Sequence, residues 1–344
     1  MSFIHQNRKN RGFTLVELLV VITIIGILAG LATGAAIYVR GQVIDTMTKA
    51  QLSQMDIALE AYKAEFGEYP PTLGDFDKMA VNRHAASRWK KAKFGVAPGA
   101  FANYDVDKNG ILDAHEVIQA VKDFDHSSTL TFWLGGRYDS DSDSYVGFSA
   151  NLENPLGMVV VDNVLTGFVL GGQRTESRFD FSDKNTVLLT DGRYFAVFDK
   201  PVAYFRSKAS GDTFAYLQDP DADGKIYPLC DQNLGEPGNN AVPYAKSATK
   251  GGQPFNPALD DSFGWTASDW ASVKVVWQGA KKYQLIHPGR DSDFGALRRP
   301  AGGAPNDPTT FFASMFDGTG ISLEDENNVT SFTSTATLKG ELNQ

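Results

Sequence analysis

The chain has 344 residues and a net charge of −9, with 42% hydrophobic, 21% charged and 12% aromatic residues, which is enough for one large or two ordinary globular domains. The acidic balance argues against a nucleic-acid partner, because phosphate contacts need clustered Lys and Arg. Cys230 is the single cysteine, which excludes an intramolecular disulfide.

The chain opens on a short basic stretch. Residues 1–12 hold Arg8, Lys9 and Arg11 and no acid, so their removal would take the net charge from −9 to −12. Residues 13–39 then carry one charge, Glu17, across 27 positions. About 20 apolar residues suffice to cross a hydrocarbon core. The pattern predicts a transmembrane helix over 13–39, with the basic leader cytoplasmic and the rest translocated. A secretory signal would be cut at small residues after the apolar run. Here helix-compatible sequence continues past the run, so the run reads as retained. Glu17 argues against a bare anchor. An acid near the end of a membrane helix is costly without a partner, and such residues are usually functional.

Gly12-Phe13-Thr14-Leu15-Val16-Glu17 resembles the class III signal of type IV pilins and type II secretion pseudopilins. The resemblance implies cleavage after Gly12 by a prepilin peptidase and methylation of the new amino terminus at Phe13. It also implies pairing of Glu17 with the Phe13 amine of a neighbouring subunit during assembly. Two opposite charges buried in an apolar bundle are tolerable only together. The chain departs from the family where a helix-bending proline usually stands, which is Gly34 here. Gly26, Gly30 and Gly34 fall four apart on one face, a spacing suited to close helix packing.

The helix is expected to run on to Phe66. Leu52, Met55, Leu59, Tyr62 and Phe66 recur at spacings of three and four, one apolar stripe meant for a sheet. Gly67 and Pro70-Pro71 stop it. The stretch from Glu60 to Pro70, with Tyr62, Gly67, Tyr69 and Pro70, closely resembles the end of the pseudopilin helix and carries the resemblance to about residue 71. The organisation expected is a leader over 1–12, a long helix over 13–66, and an exported globular domain over 67–344.

Residues 105–116 read as a complete EF-hand loop. Asp105, Asp107 and Asn109 offer oxygens at positions one, three and five, and Gly110 allows the sharp turn at six. The Ile111 carbonyl serves at seven, Asp113 stands at nine, and Glu116 closes the site as a bidentate ligand. An exit helix with Val117, Ala120, Val121 and Phe124 on one face is expected. The incoming side holds Gly95, Pro98 and Gly99 and admits only a short helix, and no second complete loop exists. One structural Ca2+ is the expectation, with a solvated acidic turn as the plain alternative.

Further acidic loops are incomplete. Asp219, Asp221 and Asp223 precede Gly224, but Cys230 stands where the closing acid belongs, so a second metal there needs Asp231 or another acid. Asp139-Ser140-Asp141-Ser142-Asp143 has neither the glycine nor the closing acid and reads as a polar surface turn. Tyr283 to Asp291 resembles the calcium-loop segment of the major, G-class pseudopilin. There Asp291 matches an expected ligand, Gln284 replaces the usual acid, and His287 replaces a serine and reads as a hydrogen-bonded loop residue.

Residues 72–136 read as largely helical with the acidic loop among them. From about 156 the pattern turns to short strands: 158–161, 164–170, 187–190, 194–198, 202–205, 273–277 and 283–286. Asp199-Lys200-Pro201 reads as a tight turn and resembles a turn of the pseudopilin sheet. Residues 229–264 are poor in strand signal and rich in Gly, Pro and Asn, and Asn328–Thr333 reads as an edge strand. No nucleophile elbow, Walker loop, zinc-protease helix or cysteine cluster exists, and the five histidines are scattered. The tryptophans read as core residues sooner than as a carbohydrate platform.

The expected fold is α+β and pilin-like, a long N-terminal helix packed on an antiparallel sheet with large loop insertions. The resemblance implies a non-enzymatic, calcium-stabilised subunit of a pseudopilus or type IV pilus-like filament, in the G-class direction. Its expected partners are copies of itself, other pseudopilins, a prepilin peptidase and an inner-membrane assembly platform. The tip class of pseudopilins typically lacks the acid that Glu17 supplies. The expected location is the bacterial inner membrane, with the C-terminal domain periplasmic or in an extracellular filament. The competing reading is a membrane-tethered, calcium-dependent binding module or adhesin that never polymerises.

Overall fold

The computed structural model describes residues 15–71, 78–121, 129–189, 192–206, 208–210, 213–215, 217–218, 227–228, 244–250, 253–254, 273–279, 282–290, 294, 314–315 and 328–342. Helix α1 is Leu15–Phe66, and the chain divides within it into two compact units, Met1–Ile44 and Asp45–Gln344.

In the first unit α1 exposes Leu18, Leu19, Ile22, Ile25 and Leu28. Its most apolar window has a mean hydropathy of 2.7, so the helix is long and apolar enough to cross a membrane. Two threonine hydroxyls are satisfied from within. Thr23 and Thr33 donate to the carbonyls of Leu19 and Ala29, each at 2.8 Å.

In the second unit the same helix becomes a core element. Leu52, Met55, Leu59 and Tyr62 are each 0% exposed, the stripe that their spacing predicts. They share one hydrophobic cluster with Tyr204, Tyr283, Leu285 and Val329. Those four belong to a three-stranded antiparallel sheet of β8 (Ala203–Arg206), β16 (Tyr283–His287) and β18 (Val329–Thr330), with β16 central and buried throughout. Polar ties flank the apolar seam. Arg290 donates to Asp45 at 2.7 Å, Tyr283 to Asp56 at 3.0 Å, and Lys282 to Glu60 at 3.0 Å. Lys49 Nζ donates to the carbonyls of Thr330 and Thr333, both at 2.6 Å.

Gly67 ends α1 at φ +82, where a side chain would be strained, and its N–H donates to Lys63 O at 2.7 Å. The prolines that follow give their carbonyls to buried donors. Tyr204 Oη donates to Pro70 O at 3.0 Å and Trp133 Nε1 to Pro71 O at 2.9 Å.

Among the described residues, the insertion after α1 contains α2 (Lys78–Arg88), a 3-10 turn (Gly99–Tyr104), α3 (Ala114–Val121) and a π turn (Thr131–Gly135). Glycines and the acidic loop break it into short helical pieces. Trp89 and Trp133 lie in its core with Phe132 and Phe148. Four short strands follow: β1 (Tyr138–Asp139), β2 (Ser144–Tyr145), β3 (Met158–Val161) and β4 (Val164–Phe168). The β3–β4 hairpin closes through Asp162 and Asn163 at φ +50 and +65, a turn whose twist matches its strands. Next come β5 (Thr186–Leu189), β6 (Gly192–Val197) and β7 (Lys200–Pro201), paired in that order. The tight turn lies at Phe198-Asp199, so Lys200 and Pro201 already belong to a strand.

Two small hairpins pair β9 (Lys208–Ser210) with β10 (Thr213–Ala215) and β11 (Leu217–Gln218) with β12 (Tyr227–Pro228). The segment expected to be poor in strands holds the longest described one, β13 (Tyr244–Lys250). It is antiparallel to β14 (Gln253–Pro254) and β15 (Val273–Trp277), and parallel to β17 (Ser314–Met315). Alanine and lysine dilute its β-formers, Tyr244 and Thr249, so partners and not intrinsic preference make it a strand.

Candidate metal site

The loop from Asp105 to Glu116 is built by its own side chains. Asp105 accepts from Asn109 N at 3.1 Å and from Gly110 N at 2.9 Å. Asp107 accepts from Asn109 N at 3.1 Å and Asn109 Nδ2 at 2.7 Å, and Asn109 Oδ1 accepts from Ile111 N at 2.8 Å. These bonds fold the backbone inward around Gly110, whose φ of +79 suits glycine. The result brings carboxylate oxygens of Asp105, Asp107 and Glu116 within 4.8 Å of one another. An all-oxygen, multiply charged set of this kind suits a hard cation such as Ca2+.

Asp113 has a different position. Its Oδ1 accepts from Glu116 N at 3.0 Å, while Glu116 Oε2 accepts from Asp113 N at 3.0 Å. This reciprocal pair is a capping box at the start of α3. Glu116 Oε1 also accepts from Val106 N at 2.9 Å, so the closing acid is fixed at both oxygens. Burial pushes the Glu116 carboxyl up, with Asp113 and Asp107 adding to it against the backbone donors. A cation would relieve that cost.

Backbone hydrogen bonds tie the loop to the residues that precede it. Leu112 N donates to Val96 O at 2.8 Å, and Gly95 N to Leu112 O at 2.9 Å. On the next residue, Ala97 N donates to Asn163 O at 2.8 Å, and Leu165 N to Ala97 O at 2.9 Å. The loop is thus stitched through residues 95–97 to β4. Gly99 sits where a Cβ would lie 2.6 Å from Leu165 O, which keeps this approach closed to other residues.

The other residues singled out by sequence fall as follows. Glu17 lies in the first turn of α1, where the helix dipole favours an acid. Gly12, Phe13, Asp219, Asp221, Asp223 and Asp291 lie outside the described residues. Asp139, Asp141 and Asp143 form the turn of the β1–β2 hairpin, where Asp139 accepts from Asp141 N at 3.1 Å and Ser142 Oγ at 2.8 Å, and Tyr138 bonds Asp143. Gln284 faces the interior. Its Oε1 accepts from Tyr244 N and its Nε2 donates to the carbonyls of Tyr244 and Gln278, all at 2.8 Å. It therefore splices β16 to β13, and its oxygen is committed to that link. His287 is buried, with Nε2 donating to Val197 O at 2.9 Å and Nδ1 accepting from Gly289 N at 3.1 Å. Burial pushes its pKa down to about 4, so it is a neutral hydrogen-bonding strut.

A long N-terminal apolar helix whose second half forms the core of an α+β unit is consistent with a pilin-like fold. Residues 7–33 match the family described as the prokaryotic N-terminal methylation motif. The chain is 37% identical over 89 residues to a type II secretion system core protein G of Pseudomonas aeruginosa, covering 25% of this chain and 63% of that protein. It is 26% identical over 123 residues to the core protein G of Aeromonas hydrophila, covering 31% of this chain and 86% of that protein. The chain thus spans under two thirds of the first of these relatives. No solved structure matches it. In its N-terminal segment and helix the chain is similar to the type IV pilins and pseudopilins.

Proposed function

We propose that this chain is a structural, non-catalytic subunit of a pseudopilus that serves type II protein secretion. It is made with a basic leader, cut after Gly12, methylated at Phe13 and held in the inner membrane by the first part of α1 until assembly. The exported domain then travels with the filament. Glu17 pairs with the Phe13 amine of a neighbouring copy or of another pseudopilin. The observation that carries this reading is the similarity to two core G proteins together with the methylation motif over residues 7–33.

Calcium is the second part of the proposal. Asp105, Asp107, Asn109, the Ile111 carbonyl and Glu116 would hold it, with Asp113 capping α3 and serving the ion at most through water. The ion would neutralise three clustered carboxylates and stiffen the insertion.

The assembly reading is tested by expressing the full chain with a prepilin peptidase and an assembly platform. Mass spectrometry of the product should show residues 1–12 gone and one methyl group gained. Glu17→Ala should still be inserted and cut but be lost from sheared filaments. Wild-type chain that is never found in filaments would reject assembly and leave a tethered binding module. The calcium reading is tested by melting the full chain in detergent. Calcium should raise the melting temperature by mass action, and Glu116→Gln should remove that rise.

A further inference from the structure

The metal loop depends on a residue that no EF-hand pattern contains. Asn82 lies in the middle of α2, 31 positions before Asp113. Its Nδ2 donates to Asp113 Oδ2 at 2.5 Å, and its Oδ1 accepts from His115 N at 2.7 Å. The first bond fixes the carboxylate at the ninth loop position. The second satisfies an N–H of the first turn of α3, which has no partner inside its own helix. Glu116 is the next residue in that turn. Its carboxylate reaches Asp105 and Asp107 only while the start of α3 keeps its orientation.

The anchor itself is firm. Val81 and Ala85 of α2 are fully buried, so the helix cannot rotate without opening the core. His84 bonds to Tyr62 Oη of α1 at 2.5 Å and to Glu68 Oε1 at 2.9 Å. The loop lacks a long incoming helix, having only the 3-10 turn Gly99–Tyr104 before it. An outside helix is therefore available to do what the incoming one does elsewhere.

We propose that Asn82 is a positioning residue of the cation site, through which α2 holds Asp113 and the first turn of α3 so that Glu116 closes on the ion. The proposal rests on the calcium reading of Asp105–Glu116. An amide suits the task because it donates to the carboxylate and accepts from the backbone at once. An aspartate there would set two carboxylates against each other, and an alanine would leave Asp113 and His115 N without these partners.

The test is calorimetric titration of Ca2+ into the full chain in detergent micelles, stripped beforehand with chelator. Asn82→Ala should bind about ten-fold more weakly or worse, the usual scale for losing a group that orients a ligand. Asp113→Ala and the double variant complete a cycle. In the Asp113→Ala background the Asn82→Ala effect should shrink, because one of its two routes to the ion is gone. Melting in chelator gives the purely structural cost separately. Asn82→Ser keeps a hydroxyl for one of the two bonds; it should bind between wild type and Asn82→Ala, and it carries the comparison if the alanine variant fails to fold. Unchanged affinity in a variant with a lowered melting temperature would overturn the proposal and leave the calcium reading standing, as would an effect fully additive with Asp113→Ala. A wild-type chain with no saturable binding would bring down both.

Discussion

Tyr62 of α1 and His84 of α2 meet at 2.5 Å, hydroxyl to Nε2, inside the core. Arg88 donates to the same hydroxyl at 3.0 Å, which leaves the tyrosine proton free to donate to the imidazole. His84 Nδ1 then donates to Glu68 at 2.9 Å. Arg206 bonds the other Glu68 oxygen at 2.6 Å, and Arg83 stands 3.6 Å from it. The end of the long helix is thereby latched to α2 by a neutral imidazole set among three arginines. Tyr62→Phe keeps the ring packing and removes the shared hydroxyl. It should cost about 1–3 kcal/mol, since buried His84 and Arg88 each lose a partner, as denaturant unfolding at neutral pH will measure.

The same latch predicts acid sensitivity. Burial pushes His84 down, against the pull of Glu68. A histidine lowered in the folded state binds its proton more readily when unfolded. Its contribution is complete above the unfolded value and fades as pH falls through and below about 6.5. Burial alone would raise Glu68, but His84 and Arg206 outweigh it and hold the carboxyl at about 2. That part is lost between about 4.5 and 2. Melting temperature should therefore fall on acidification. His84→Gln, which titrates nowhere in this range, should flatten the upper part of the fall. An unchanged slope would refute the role given to His84.

His287 adds a second acid-sensitive contribution from a separate place. Burial lowers its pKa to about 4, and a proton on Nδ1 would also displace the bond from Gly289 N. Between pH 6.5 and 4 this is worth about 3 kcal/mol. His287→Gln should lower stability at pH 7 and reduce the pH dependence by roughly that amount, with chemical denaturation at pH 7 and 4.5 as the measurement.

Asp56 has the opposite sign. Burial beneath the β16 end raises its carboxyl to about 6, against the Tyr283 hydrogen bond and the charges of Lys49 and Lys282. A raised carboxyl binds its proton more readily in the folded state, so its ionisation opposes folding above about pH 6 and the penalty vanishes below the unfolded value near 4. Asp56→Asn keeps an acceptor for Tyr283. It should stabilise the protein by about 1–2 kcal/mol at pH 7.5, a figure reduced for partial solvent screening. The gain should disappear by pH 4; equal gain at both values would refute the assignment.

The parts of this molecule governed by local rules were legible in the sequence. The Leu52–Tyr62 stripe, the Gly67 stop and the internal turns of Asp105–Gly110 follow from spacing and from side chains bonding to their own backbone. The strand at 244–250 was not, because its residues alone do not prefer that state and its pairing partners lie near 275 and 314. Asn82 was also hidden, as nothing in α2 marks an asparagine that serves a loop 31 residues on. Gln284 shows the same limit from the other side. A local likeness to a calcium segment suggests a ligand position, while the fold turns the side chain inward to bridge two strands.

Gly136 and Gly147 show how tightly the insertion is closed. Their backbones bridge in parallel, and a Cβ on Gly136 would lie 2.3 Å from Gly147 Cα. On the far side of the same crossing, a Cβ on Gly147 would lie 1.9 Å from Thr175 O. Both glycines also have positive φ, +88 and +67. Alanine at 147 meets a carbonyl that is itself held in place, since Thr175 N donates to Phe148 O at 2.9 Å and Thr175 Oγ1 accepts from Phe148 N at 3.0 Å. The strand crossing must therefore part. Gly147→Ala should cost more than about 3 kcal/mol, the sum of αL strain and a backbone clash that no rotamer relieves. Gly172 is the matched control, with φ +88 and open space around its Cβ position. Gly172→Ala should cost only the conformational strain, about 1–2 kcal/mol. Melting the two variants side by side separates the terms, and equal losses would show that close approach at Gly147 contributes nothing.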